Sequence, residues 1–340
     1  MKVRHFLFFV GLILVIIIIV AQFGQIQNFV SLLKKTHWWV LIFVVLLRFC
    51  YYWANTLYFK RFFEVFKKKL RFNPLFSATT TLNFVNIAFP TAGISGITYF
   101  TQQLAPDIEK PDSTLAQLVW YLLTALSYVI MLGLGFILLL LSNQIVRISS
   151  RLLLVIVFVL LFIAISLAIF LFNKGLTEEI TYFFARPVNA ILRRAKKRPY
   201  GKKRIEKFYS ELRTSIDFLR LNWSSLHRPF GYAFLMVFFD MASIFVVFLA
   251  FGKLVNPGVV MTAYVIATLT SLASIFTAGV GAYEAGMIAT FTGLGIPFDL
   301  AFSVTIVYRV IALWLFLPIG LFFYKHTTID EADNKKSQLE

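Results

Sequence analysis

Six stretches of this chain, near residues 6–23, 38–58, 113–142, 150–172, 229–252 and 300–324, are apolar and long enough to cross a bilayer. A hydrocarbon core about 30 Å thick needs about 20 apolar residues at about 1.5 Å rise each. Composition agrees: 59% of the 340 residues are hydrophobic and only 14% are charged, where a soluble domain carries about 25% charged residues. The 39 phenylalanines exceed what a water-facing surface can hide. The sequence therefore predicts an all-α polytopic membrane protein with about six full transmembrane helices. Lys2 and Arg4 precede the first run as in a secretory signal, but the run is longer than a usual apolar signal core and lacks a small-x-small cleavage site. It reads as an uncleaved first helix. The single Cys50 excludes a disulfide framework or a Cys-rich metal site, and His5, His37, His227 and His326 all lie in or beside polar segments. No metal and no cofactor are expected.

Two further apolar stretches, 75–105 and 259–297, are interrupted. The first contains Pro90, Gly93 and Gly96; the second contains Gly279, Gly281, Gly293, Gly295 and Pro297. Basic residues set the orientation. Segment 60–71 carries six and segment 174–228 carries fourteen against five acidic residues, so both are expected in the cytoplasm. Three apolar stretches separate them, and three full crossings would put them on opposite sides. One of the three must turn back, and the broken stretch 75–105 is expected to do so. Irregular backbone at that depth needs protein or a wet cavity around it. Stretch 259–297 fits either a second re-entrant segment or a crossing helix followed by a loop. With the re-entrant choice both termini are cytoplasmic, and 26 of the 33 basic residues lie inside. The two broken segments then enter from opposite sides, a possible inverted repeat of the kind transporters build around a central site. One membrane domain over 1–325, with a basic loop at 174–228 and a polar tail at 326–340, follows.

The breaks also resemble each other in sequence. Phe89, Thr91-Ala92-Gly93, Ile94, Ser95 and Gly96 match Phe276, Thr277-Ala278-Gly279, Val280, Gly281 and Ala282 once Pro90 is skipped. Small residues also recur in membrane helices simply because they let backbones approach. If half-helix ends meet at mid-membrane, their exposed amides favour anions and their carbonyls favour cations.

Four ionisable residues fall well inside apolar segments: Arg48, Asp240, Glu284 and Arg309. Each costs about 2.5–3.5 kcal/mol at a helix centre on insertion scales, so each needs a reason to be there. Two are basic and two acidic, so the set can neutralise itself. It reads either as internal pairing that fixes helix packing or as a polar pathway in which the arginines meet a phosphate headgroup. Glu284 follows the second break, where the helix dipole favours a carboxylate or where the group can take up a proton. Before the first break, Thr79, Thr80, Thr81, Asn83 and Asn86 form a polar run of the kind that bonds neighbouring helices. The candidate pathway residues are Arg48, Asn83, Asn86, Thr91, Gly93, Ser95, Gly96, Asp240, Gly279, Gly281, Glu284, Tyr308 and Arg309.

On the cytoplasmic side, Phe62, Phe63, Phe66 and Leu70 recur at near-helical spacing, as do Phe208, Leu212, Ile216 and Leu219. Both sets read as amphipathic helices lying in the interface, with basic faces on anionic membrane lipids. The basic run Arg193 to Arg204 sits in a loop too small for a nucleic-acid module, so no nucleic acid is expected. Asp107-Ile108-Glu109 is similar to acidic motifs of membrane glycosyltransferases but lies in a short charged, Pro-rich turn. Walker A, Gly-x-Ser-x-Gly and His-Glu-x-x-His sequences are absent, so any transport is passive or ion-coupled.

Thr277-Ala278-Gly279-Val280-Gly281-Ala282-Tyr283-Glu284-Ala285 resembles the Pro-Gly-Gly-x-Gly-x-x-Glu-Ala region of the lysylphosphatidylglycerol synthase transmembrane-region family, the flippase-like membrane proteins. Gly293 to Pro297, Tyr308-Arg309, Trp314 and Pro318-x-Gly320 fit the same family, and Asn83, Asn86 and Phe89-Pro90 match its first break. Where many relatives carry Arg and Glu after that Pro, this chain reads Thr91-Ala92-Gly93-Ile94-Ser95-Gly96. The resemblance implies a bacterial inner-membrane translocase for a phospholipid such as lysylphosphatidylglycerol, or for a polyprenyl phosphate. In bifunctional relatives that movement lowers surface negative charge and protects against cationic peptides. Those relatives append a soluble aminoacyl-transferase domain. This chain runs to Glu340, 16 residues after Tyr324, so lysyl transfer is not expected of it. A lipid-modifying enzyme or an accessory partner of one is the alternative.

Overall fold

The structure, a computed structural model, describes residues 36–88, 93–142, 201–272 and 281–326, with a few isolated positions elsewhere. The expected spans 6–23 and 150–172 and most of the basic loop lie outside the described residues. Within them the chain is helical throughout: α1 (Leu41–Val65), α2 (Phe72–Ala88), α3 (Ile94–Gln103), α4 (Lys110–Leu141), α5 (Lys202–Leu221), α6 (His227–Ala250), α7 (Pro257–Leu272), α8 (Ala282–Gly293) and α9 (Phe298–Arg309). A π-helical turn, Val310–Trp314, follows α9, and helix resumes to His326. Four continuous stretches are long and apolar enough to span: Trp38–Val65, Lys110–Leu141, Trp223–Ala250 and Phe298–His326. The molecule is a multi-pass all-α membrane protein.

Helices α1 and α6 pack antiparallel along their length. The His37 amide donates to the Ala250 carbonyl at 2.8 Å, Arg48 meets Asp240 in mid-helix, and the Trp53 and Tyr232 rings touch at 6.2 Å. Each of these helices is followed by a broken pair and then by a long helix, so the two units are inverted relative to each other.

Both broken stretches return to the side they entered. The α2–α3 pair starts just after α1 ends and finishes just before α4 begins. Those two ends are held together where Tyr58 donates to the Ala116 carbonyl (2.8 Å) and Phe59 packs on Phe100 (4.7 Å). The α7–α8 pair lies at the opposite end. Asn256 donates to the Leu138 carbonyl at 3.0 Å near the close of α4, and Phe291 packs on Phe248 near the close of α6 (5.1 Å). Helices α3 and α8 have 10 and 12 residues, about 15 and 18 Å, roughly half of a 30 Å hydrocarbon core. The choice left open for 259–297 is thereby resolved as re-entrant.

Both second half-helices begin at a left-handed glycine, Gly93 (φ 85°) and Gly281 (φ 90°), a backbone conformation that any side chain would strain. By these helix starts, the counterpart of Gly93 is Gly281; Gly279, which sequence similarity aligns with Gly93, lies outside the described residues. Counted from those glycines, Glu284 occupies the position of Gly96.

Each hairpin has its own apolar core. Tyr58, Phe59, Phe62, Phe63, Phe100, Leu115 and Val119 surround the first; Met131, Leu132, Ile244, Phe248, Met287 and Phe291 surround the second. Phe62 and Phe63 are fully buried because α1 continues without interruption to Val65. The expected interfacial helix over 60–72 is thus absent. Helix α5 does form, but Leu212, Ile216 and Leu219 are buried against the protein, with Phe218 on Phe66 (5.1 Å) and Ser215 donating to Asp112 (2.5 Å). Its apolar face is taken by α1 and α4 and is not left for lipid. Asp107 and Glu109 are exposed in the turn before α4.

Two predictions follow from this arrangement. Cysteines placed at Lys68 and Asp107 in a Cys50→Ser background should react with an impermeant thiol reagent from one side of the membrane, and those at Lys253 and Pro297 from the other. All four positions are exposed. Labelling of Asp107→Cys from the side opposite to Lys68→Cys would turn the first hairpin into a crossing. Where α4 and α7 cross, a Cβ on Gly258 would sit 2.4 Å from the Gly135 carbonyl. Gly258→Ala should therefore destabilise by about 1–3 kcal/mol, seen as a lower melting temperature in detergent. Gly133→Ala on the same α4, with nothing within 4 Å, should be neutral or stabilising.

Candidate functional site

All four charges expected in the membrane are arranged as two separate ion pairs, with Arg48 on α1 and the other three on α6, α8 and α9. Arg48 on α1 and Asp240 on α6 form the first. Asp240 also accepts hydrogen bonds from Tyr308 (2.5 Å, α9) and Tyr264 (2.7 Å, α7). Arg48 reaches the Ala312 carbonyl in the π turn (3.3 Å) and lies over the Tyr51 ring (4.4 Å from its centroid). In that turn the Leu315 amide bonds the Val310 carbonyl five residues back. With side-chain exposures of 7% and 9%, the pair is closed to solvent, and its partners tie α1, α6, α7 and α9 at one point.

Glu284 and Arg309 form the second pair. Glu284 sits in the first turn of α8 because the break places the helix start at Gly281. Its Oε2 accepts the Gly281 amide at 2.7 Å, one half of a capping box, and its Oε1 accepts from Arg309 Nε. A carboxylate here satisfies an orphan amide and complements the helix dipole. The Arg309 guanidinium lies over the Tyr283 ring, 4.6 Å from its centroid. This pair is more open, at 15% and 18% side-chain exposure. Among the described residues Arg309 makes its only hydrogen bond through Nε. Its two terminal nitrogens, the fork that suits phosphate, carry no hydrogen bond there.

Tyr308 and Arg309 are neighbours in sequence yet serve different pairs, because successive residues on α9 diverge by about 100°. The two pairs are joined by a tyrosine cluster, Tyr264 being in ring contact with Tyr128 (5.9 Å) and Tyr283 (6.4 Å). Tyr51, Tyr128 and Tyr264 have no part in the sequence expectations, and Tyr283 enters them only within the Thr277 to Ala285 match. Their signal was there, as phenolic residues inside apolar runs that must each find a partner.

The first hairpin carries neutral polar groups only. Asn83 donates to its own helix at the Thr79 carbonyl (3.1 Å), and Thr79 meets Thr56 of α1 (2.9 Å). Asn86 lies against Gly96, where any Cβ would fall 2.0 Å from its side-chain oxygen. Gly93 faces the Tyr121 hydroxyl, and Ser95 is half-buried in the first turn of α3. These residues are not brought to either ion pair. Thr91 and Gly279 lie outside the described residues. Among the described residues no group of three or more His, Cys, Asp or Glu is placed to hold a metal.

A multi-pass helical membrane domain with two opposed re-entrant hairpins and internal ion pairs is the class these observations define. The chain belongs to the family described as the lysylphosphatidylglycerol synthase TM region, whose pattern matches residues 7–320. Two proteins of Methanothermobacter thermautotrophicus (strain Delta H), each named UPF0104 membrane protein, are similar to it. One is 27% identical over 131 residues, 37% of this chain and 39% of the relative. The other is 22% identical over 167 residues, 49% of this chain and 48% of the relative. The matched segments thus span less than half the length of these curated relatives.

Proposed function

We propose that this protein translocates a phospholipid, or another lipid with a phosphate headgroup, between leaflets of a cell membrane. The observation that carries the reading is the pairing of two inverted re-entrant hairpins with charged side chains kept inside the membrane. An inverted pair offers two related states facing opposite sides. Intramembrane charges are retained at a cost that function commonly explains. The family's name points the same way, towards a membrane domain concerned with lipids.

In this reading the basic end, with Lys60 to Arg71 and α5, faces the cytoplasm, as do both termini, and anionic lipids bind around it. Residues 1–325 act as one domain. Glu284 and Arg309 contact the headgroup, Gly281 supplies the backbone break, and Arg48, Asp240 and Tyr308 hold the helices that move around it. The neutral groups of the first hairpin (Asn83, Asn86, Ser95, Gly93 and Gly96) line the opposing side of the path. The test is leaflet exchange. Protein-containing liposomes should expose fluorescent lipid to an impermeant quencher faster than empty ones, and equal rates would remove the translocase reading.

A further inference from the structure

We propose that the Glu284–Arg309 pair is a charge filter that selects headgroups carrying both a phosphate and an ammonium group over headgroups that are only anionic. The inference rests on the translocase reading for its lipid ligand and deepens it by naming the headgroup class. Arg309 spends only Nε on Glu284, and its two terminal nitrogens carry no hydrogen bond among the described residues. That edge presents two parallel donors, the geometry phosphate oxygens accept bidentately. Stacking on Tyr283 fixes the plane in which the fork opens.

Charge then decides which phosphate can stay. The pair is already neutral as it stands, since Glu284 balances Arg309. A purely anionic headgroup would leave one negative charge in excess in a poorly solvated site, and an uncompensated charge there is costly. A zwitterionic headgroup adds none: its phosphate takes the two terminal nitrogens of Arg309, and its ammonium lies against the Glu284 carboxylate. Glu284 can accept it because a carboxylate has about four lone-pair sites and two are in use, at Arg309 and at the Gly281 amide. The Arg48–Asp240 pair offers no such opening. It is closed at 7% and 9% exposure, and its carboxylate already accepts from Arg48 and two tyrosines.

The experiment is equilibrium binding to the full chain in detergent, using short-chain phosphatidylethanolamine, short-chain phosphatidylglycerol and deacylated glycerophosphoethanolamine. The wild type should prefer the ethanolamine lipid over the glycerol lipid by about tenfold or more. Glu284→Gln leaves Arg309 uncompensated, so it should bind the glycerol lipid as tightly as, or more tightly than, the ethanolamine lipid. Arg309→Gln should lose affinity for both. Glycerophosphoethanolamine should bind more weakly than its lipid, and equal binding would reassign the site to a soluble phosphodiester. Equal affinities for the two lipids in the wild type, or a preference unchanged in Glu284→Gln, would overturn the filter. Binding in detergent does not need leaflet exchange, so selective binding without exchange sinks the translocase reading alone, and exchange without selectivity sinks the filter alone.

Discussion

Asp240→Leu is expected to be the most damaging single substitution in the described part of the molecule, costing about 3–5 kcal/mol. It leaves the Arg48 guanidinium buried with no opposite charge, and it strips the Tyr264 and Tyr308 hydroxyls of their acceptor. Because those partners come from α1, α7 and α9, the loss spreads across the packing of both inverted units. Arg48→Leu should be damaging for the mirror reason, leaving a carboxylate held only by two phenols. The double variant Arg48→Leu/Asp240→Leu should recover most of the loss, since replacing a buried pair with apolar groups is often neutral or better. Melting curves in detergent for the wild type, both singles and the double read this directly. Additive losses would show that the two side chains are not coupled.

The second large effect is on activity, with stability little changed. Arg309→Ala and Glu284→Gln should each lower lipid exchange by roughly tenfold to a hundredfold, the worth of one charge-assisted contact to a headgroup. Stability should move less than for Asp240→Leu, because this pair is less deeply buried, at 15% and 18% side-chain exposure against 7% and 9%, and its carboxylate is not also the acceptor of two buried phenols. Glu284→Gln keeps an oxygen to accept the Gly281 amide, so the start of α8 survives. Exchange at the wild-type rate in both variants would remove the pair from the transport path. A collapse in melting temperature matching that of Asp240→Leu would make the pair structural.

Much of this architecture is legible in the sequence because it follows from solvent. Runs of about 20 apolar residues and the sidedness of Lys and Arg are imposed by the bilayer. Two basic segments on one side with three apolar stretches between them require one stretch to turn back by parity alone, and α2–α3 does turn back. The failures are equally physical. Sequence similarity aligns Gly93 with Gly279, since small residues look alike; that a positive-φ glycine, Gly93 or Gly281, starts each second half-helix is a backbone fact that composition does not encode. Phe62 and Phe63 read as an interfacial stripe, yet α1 runs on through them to Val65, and the core around the first hairpin, with Phe100 and Leu115, buries them. The charges drew notice because each is expensive in an apolar helix. Their division into Arg48–Asp240 and Glu284–Arg309 could not be read from a sequence in which Arg48 and Asp240 stand 192 positions apart.

The central claim, that these opposed hairpins carry a lipid headgroup past an intramembrane charge pair, is tested most directly by leaflet exchange in proteoliposomes. Fluorescent phosphatidylethanolamine, phosphatidylglycerol and a polyprenyl phosphate are compared in parallel, for the wild type and Glu284→Gln, with and without a proton gradient. The account predicts that the wild type moves the zwitterionic lipid fastest and that Glu284→Gln, folded as judged by its melting curve, does not. Folded wild-type protein that moves none of the three lipids faster than empty liposomes would contradict it.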